Sequence, residues 1–81
     1  MTIKVKLNQT AVLHAIARRN MSQNMLAIRA GISSSYVSQI ISGTRYPSPE
    51  VRQKLQDVLQ PLNFDDIFII EENGKNEPQS Q

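Results

Sequence analysis

Two stretches of this sequence each open on a serine and close on a glycine, Ser22 to Gly31 and Ser33 to Gly43, and a single residue, Ile32, separates them. A serine ahead of an apolar-periodic run is a helix start, because its hydroxyl accepts an N–H that the first turn leaves free. Glycine ends a helix, because it adopts positive φ without a Cβ penalty. Two short helices joined by a tight turn at Gly31 are the expectation. In the first, Met25, Leu26 and Ala30, with the preceding Met21, form the apolar stripe, and Ala27 is small where the helices approach. Ile32 is expected to plug between them. In the second, Val37, Ile40 and Ile41 point inward, which leaves Ser34, Ser35, Ser38, Gln39 and Ser42 on the outer face.

The flanking sequence reads as further short elements. Ile3–Leu7 alternates apolar and basic residues, the period of a half-buried strand. Asn8 or Thr10 starts a helix carrying Val12, Leu13, Ile16 and Ala17, and Arg18, Arg19 and Asn20 close it with charge suited to a helix C-terminus. Thr44 to Pro47 is a loop. Ser48-Pro49-Glu50 then starts a helix with a cap, a proline at the first position and an acid in the first turn; Val51, Leu55, Val58 and Leu59 are its stripe, and Pro61 stops it. Asn63 caps a last short turn, Phe64 to Ile67, and Phe68–Glu72 is β-prone. The two β-prone ends are expected to pair, with Lys4 and Lys6 facing Glu71 and Glu72; the alternative is that both are loose extensions. One domain over residues 1–72 and a disordered polar tail over 73–81 are the expected organisation.

An 81-residue chain has little core to spare and no room for a deep catalytic cleft. It has no cysteine, so disulfides and thiolate metal sites are excluded, and its one histidine, His14, is too few for a histidine metal cluster. The serines have no accompanying base or oxyanion arrangement, so no nucleophile is expected and no enzyme. No cofactor is expected either. No apolar run approaches a membrane span and the first ten residues lack a signal peptide's pattern, so a cytoplasmic protein without membrane contact is the expectation. Charge is unevenly placed: residues 1–56 hold eight of the nine basic side chains and one acid, Glu50, whereas 57–81 hold six of the seven acids. A basic body suits a polyanion, and short polar side chains on one exposed helix face suit the edges of bases in a DNA major groove.

At the residues SQxxLAxxAGIS (22–33) and SGxRxPSPE (42–50) the chain resembles the lambda-repressor-like, Cro/C1 or XRE-type, helix-turn-helix regulators of bacteria and phages, and the resemblance spans about residues 9–68. It implies an all-α, compact five-helix bundle, to which the pairing of the termini would add a small two-stranded sheet. It implies double-stranded DNA as the partner, a recognition helix at 33–42, and a transcriptional regulator, expected to be a repressor of a phage, plasmid or mobile element that binds as a homodimer at least on DNA. Ser34, Ser35 and Gln39 fall at the base-reading positions, with Ser38 beside them. Gln23, Ser33, Ser42, Thr44, Arg45 and Tyr46 fall where phosphates are bound.

Three departures from the family pattern stand out. Serines at 34 and 35 reach less far than the Gln, Arg or Lys common there, so Gln39 is the expected principal reader. Ile16 and Ile41 occupy the places of a frequent Arg–Glu ion pair and are expected to touch; an apolar pair can replace a buried ion pair without loss of stability. Met25 stands where Glu or Gln is common and is expected to extend the core or pack beneath the recognition helix. Tyr36 is expected against the DNA backbone or against the preceding helix. The competing function is a protein-interaction module, such as an antitoxin or an anti-repressor-binding partner, which the acidic C-terminal segment would serve.

Overall fold

The computed structural model describes residues 2–73. In chain order these form β1 (Thr2–Leu7), α1 (Gln9–Arg18), α2 (Gln23–Ala30), α3 (Ser34–Ser42), α4 (Pro49–Val58), α5 (Phe64–Ile67) and β2 (Phe68–Asn73). This is the expected five-helix bundle with a two-stranded sheet. Strand β2 runs one residue further than anticipated, taking in Asn73, the first residue of the polar tail expected over 73–81; the rest of that tail, 74–81, lies outside the described residues.

The helix starts follow from the caps. Asn8 Oδ1 accepts from Ala11 N–H at 3.2 Å, Ser22 Oγ from Met25 N–H at 3.1 Å, Ser33 Oγ from Tyr36 N–H at 3.1 Å and Ser48 Oγ from Val51 N–H at 3.3 Å. Each satisfies an amide that the helix cannot, typically worth about 1 kcal/mol. The ends of α1, α2 and α3 share one device. Asn20 (φ 57°), Gly31 (φ 72°) and Gly43 (φ 88°) turn left-handed. The next residue's N–H then returns to a carbonyl five residues back: Met21 to Ile16 at 2.9 Å, Ile32 to Ala27 at 3.0 Å and Thr44 to Gln39 at 3.0 Å.

Helix α4 has neither a glycine at its end nor a basic residue in its last turn. Arg19, the residue that caps the end of α1, brings a basic group there instead. Its guanidinium donates to Ala15 O at 3.1 Å on its own helix, and to Leu59 O at 3.1 Å and Gln60 O at 2.9 Å at the end of α4. The expectation that Arg19 complements its own helix terminus is therefore met, and the same side chain also ties α1 to α4.

The core gathers Val12, Ala15 and Ile16 from α1, Leu26, Ala27 and Ala30 from α2, Val37, Ile40 and Ile41 from α3, Val51 and Leu55 from α4, and Ile67 from α5; Leu7, Met21, Leu59 and Phe68 complete it. Ile16 and Ile41 are both buried in this cluster, and Ile32 is half-buried against it. No polar or charged residue among those described is buried. Met25 departs from expectation: it is 38% exposed. It lies three residues before Ile28, itself 69% exposed, so the two share the outward face of α2 while Leu26, Ala27 and Ala30 take the inward one.

The terminal strands pair antiparallel, with Lys4 opposite Glu71, Ile3 opposite Glu72 and Leu7 opposite Phe68. Alternation puts Leu7 and Phe68 into the core and turns Lys4, Lys6 and Glu71 to the other face. Asn8 N–H, donating to Ile67 O at 2.7 Å, fixes the sheet to α5.

The turn between α2 and α3 can be tested at Gly31. A Cβ added there meets nothing within 4 Å, so substitution costs only the left-handed backbone. Gly31→Ala is expected to lower unfolding stability by about 1–2 kcal/mol in urea titration, with Gly31→Asn closer to wild type. An alanine variant as stable as wild type would show that the turn carries no such constraint.

Candidate nucleic-acid interface

Helix α3 is anchored on Val37, Ile40 and Ile41, and the 3.6-residue period then dictates what it shows to solvent. Ser34, Ser35, Ser38, Gln39 and Ser42 are all exposed. Gln23 is exposed at the first position of α2, where the free N–H groups and positive end of the helix dipole lie. Ser33 is the cap of α3, its oxygen engaged by Tyr36 N–H.

The loop after α3 is folded back onto Gln39. Ser42 Oγ donates to the Gln39 carbonyl at 3.1 Å and Thr44 Oγ1 does so at 3.2 Å, with the two hydroxyl oxygens 3.1 Å apart. Arg45 Nη1 donates to Gln39 Oε1 at 3.3 Å, and the Arg45 guanidinium lies over the Tyr36 ring, 4.6 Å from its centroid. Tyr36 in turn accepts Ser48 N–H at its hydroxyl, 3.4 Å away. Its ring thus serves as a platform for Arg45, a contact that neither expectation for Tyr36 included. The structure therefore brings Gln39, Ser42, Thr44 and Arg45 together at the C-terminal end of α3.

Tyr46 is oriented differently from its neighbours in the loop. Its hydroxyl donates to Glu71 Oε1 at 2.9 Å, and Lys4 Nζ lies over its ring, 5.3 Å from the centroid. Lys6 Nζ is 3.0 Å from Glu71 Oε2. The expected lysine–glutamate pairing across the sheet is thus realised diagonally at Lys6–Glu71, while Lys4, opposite Glu71 in register, reaches Tyr46. Glu71 is held below the usual carboxylate range, first by the hydrogen bond from Lys6 and then by that from Tyr46. The same contacts raise Lys6 and Tyr46 above their ordinary values, in each case chiefly through the hydrogen bond to Glu71. Alternation in β1 hinted at this cluster, but nothing local to residues 44–47 points to Glu71.

A shallow cleft lined by His14, Arg18, Arg19, Leu62 and Asp66 involves only α1, α5 and the turn before α5. Among the described residues, no group of His, Asp and Glu is arranged to hold a metal, and no helix is long and apolar enough to cross a membrane.

The α2–turn–α3 unit defines the class of protein. A helix-turn-helix family model matches residues 15–67, more than half of the chain. The chain belongs to this Cro/C1-type, XRE helix-turn-helix family of DNA-binding regulators. Comparisons with curated proteins and with solved structures gave no match. The match takes in Gln23, all of α3 and the loop to Tyr46, whereas Lys4, Lys6 and Glu71 lie in the flanks outside it.

The tie between the loop and the sheet gives a pH-dependent signature. Glu71 is depressed on folding, so its contribution is complete above the unfolded carboxylate value and is lost as pH falls through the lower folded value. Lys6 is raised, so its contribution holds below the ordinary lysine value and disappears only in strong alkali. Both side chains are partly exposed, so solvent screens the pair and the effect is modest. The wild-type urea midpoint is expected to fall as pH drops below about 4.5, and Glu71→Gln to lose part of that decline. Parallel curves for the two proteins would show that the cluster does not contribute.

Proposed function

We propose that this regulator is a sequence-specific DNA-binding repressor of a phage, plasmid or mobile element, acting in the cytoplasm with α3 in the major groove. Ser34, Ser35, Ser38 and Gln39 read base edges. Gln23, Ser33, Ser42, Thr44, Arg45 and Tyr46 bind the sugar-phosphate backbone. The observation that carries this reading is the exposed face of α3: five polar side chains with no role in the core, on a helix whose opposite face is buried through Val37, Ile40 and Ile41.

Roles divide by reach and chemistry. Gln39 has the length and the amide to discriminate bases, whereas serine hydroxyls donate or accept and pair with either kind of base. Much of the affinity then comes from phosphate contacts, with water and DNA shape contributing to selectivity. Gln23 meets a phosphate with its amide and a free N–H of α2. Tyr46 donates its hydroxyl hydrogen to Glu71, so that hydroxyl must leave the carboxylate to donate to a phosphate. Two copies on one operator would space their half-sites about one helical turn, or ~34 Å, apart.

Electrophoretic retardation on a selected site, with competitor DNA and several salt concentrations, tests the reading. Specific complexes are expected to survive competitor, with a log–log salt slope several units negative. Gln39→Ala should cost about 1–3 kcal/mol on the preferred site and relax one base position, while Arg45→Ala lowers affinity for every sequence and reduces the salt slope by about one. Absence of retardation, together with a stoichiometric protein partner in a pull-down, would instead favour the interaction-module reading.

A further inference from the structure

We infer that Gln39 meets DNA with its amide nitrogen foremost, that Arg45 sets this orientation, and that the base so read is guanine rather than adenine. This rests on the placement of α3 in the major groove proposed above and adds the chemical identity of one base contact.

An isolated glutamine can turn either end of its amide outward. Here Arg45 Nη1 faces one end at 3.3 Å. A guanidinium has donors and no acceptor, so only the amide oxygen can stand opposite it. Arg45 is itself positioned: its guanidinium rests on the Tyr36 ring at 4.6 Å, and the Tyr36 hydroxyl accepts Ser48 N–H at the start of α4. The backbone of Gln39 is tied to the same loop, since its carbonyl accepts from Thr44 N–H, Thr44 Oγ1 and Ser42 Oγ. Side chain and main chain are therefore both referenced to residues 42–45, and Nε2 is the end left for a ligand.

That orientation has a consequence for recognition. A glutamine that reads adenine uses both ends of the amide, the oxygen for N6–H2 and the nitrogen for N7. With the oxygen turned to Arg45, the adenine N6–H2 faces a donor instead of an acceptor. Guanine presents O6 and N7 on its major-groove edge, two neighbouring acceptors and no donor. Arg45 thus acts as a positioning residue for base choice as well as a backbone contact.

Selection from random duplex DNA with the full-length wild type, Gln39→Ala and Arg45→Ala tests this. Relative enrichment is the readout, so a uniform loss of affinity from a missing phosphate contact cancels. Gln39→Ala is expected to relax one base pair. At that pair the wild type should favour G·C over A·T roughly tenfold, and Arg45→Ala should bring the ratio to about one or below. Tyr36→Leu, which keeps the arginine charge, should shift the ratio in the same direction. Replacing the selected guanine with 7-deazaguanine, which lacks the N7 acceptor, should weaken wild type and leave Gln39→Ala unaffected. A·T at this pair in the wild type, an unchanged ratio in Arg45→Ala, indifference to 7-deazaguanine, or no pair relaxed by Gln39→Ala each overturns the inference while leaving sequence-specific binding in place. A random pool from the wild type overturns both.

Discussion

The left-handed turn at Gly31 is the constraint on which the rest of the molecule depends. At φ 72° the chain reverses within one residue, and Ile32 N–H closes back on Ala27 O. Ile32 is thereby pressed half-buried against the core, and Ser33 is delivered in the extended conformation that lets it cap α3. Once α3 starts there, burial of Val37, Ile40 and Ile41 fixes its rotation about its own axis. A different rotation would bury serines and expose isoleucines. The exposed face at 34, 35, 38, 39 and 42 is thus a consequence of where the chain turns and what it buries.

Most of the helical frame was legible because its signals are local. Serine, asparagine and glycine at helix ends act within four or five residues, and the starts at Asn8, Ser22, Ser33 and Ser48 appear where those residues stand. The strand pair was legible as a pair because both ends alternate with period two, but its contacts were not. Which lysine reaches Glu71 depends on register and side-chain reach, and Lys6 takes the ion pair although Lys4 stands opposite in the ladder. Met25 was misplaced for a related reason: in a short helix rich in apolar residues, a wide stripe and a narrow one look alike until the partner helices select Leu26, Ala27 and Ala30. Within the candidate site, the exposed residues could be read from periodicity, whereas the Tyr36–Arg45–Gln39 contacts could not. They arise because the loop beyond Gly43 folds back along α3, and nothing in the spacing of residues 43–47 specifies that path.

That loop is held from two sides. Toward α3, Thr44 and Arg45 bind the backbone and side chain of Gln39. Toward the sheet, Tyr46 donates to Glu71 and lies beneath Lys4. Consecutive residues therefore connect the end of α3 to β1 and β2. The matched family region stops short of both strands, so this second anchor is built from the flanks. Its charges also interlock: Glu71 is shared by Lys6 and Tyr46, and removing the acid would release both partners.

Holding the loop this way bears on how a serine-rich surface can be selective. Serine side chains have few rotamers to lose on contact and so cost little entropy, but they carry little sequence information. Glutamine carries more information at a larger entropic cost, since it has three rotatable bonds to fix. If Gln39 reads a base as proposed, that cost is partly met before DNA arrives, because Arg45, resting on Tyr36, already restrains the Gln39 amide. Preorganisation of this kind raises affinity by reducing what must be ordered on binding. It also narrows the choice of base, because an amide fixed in one sense cannot turn over to satisfy the opposite donor–acceptor pattern. On the proposed reading, a single long side chain supported by its own loop contributes more discrimination than the composition of the α3 surface suggests.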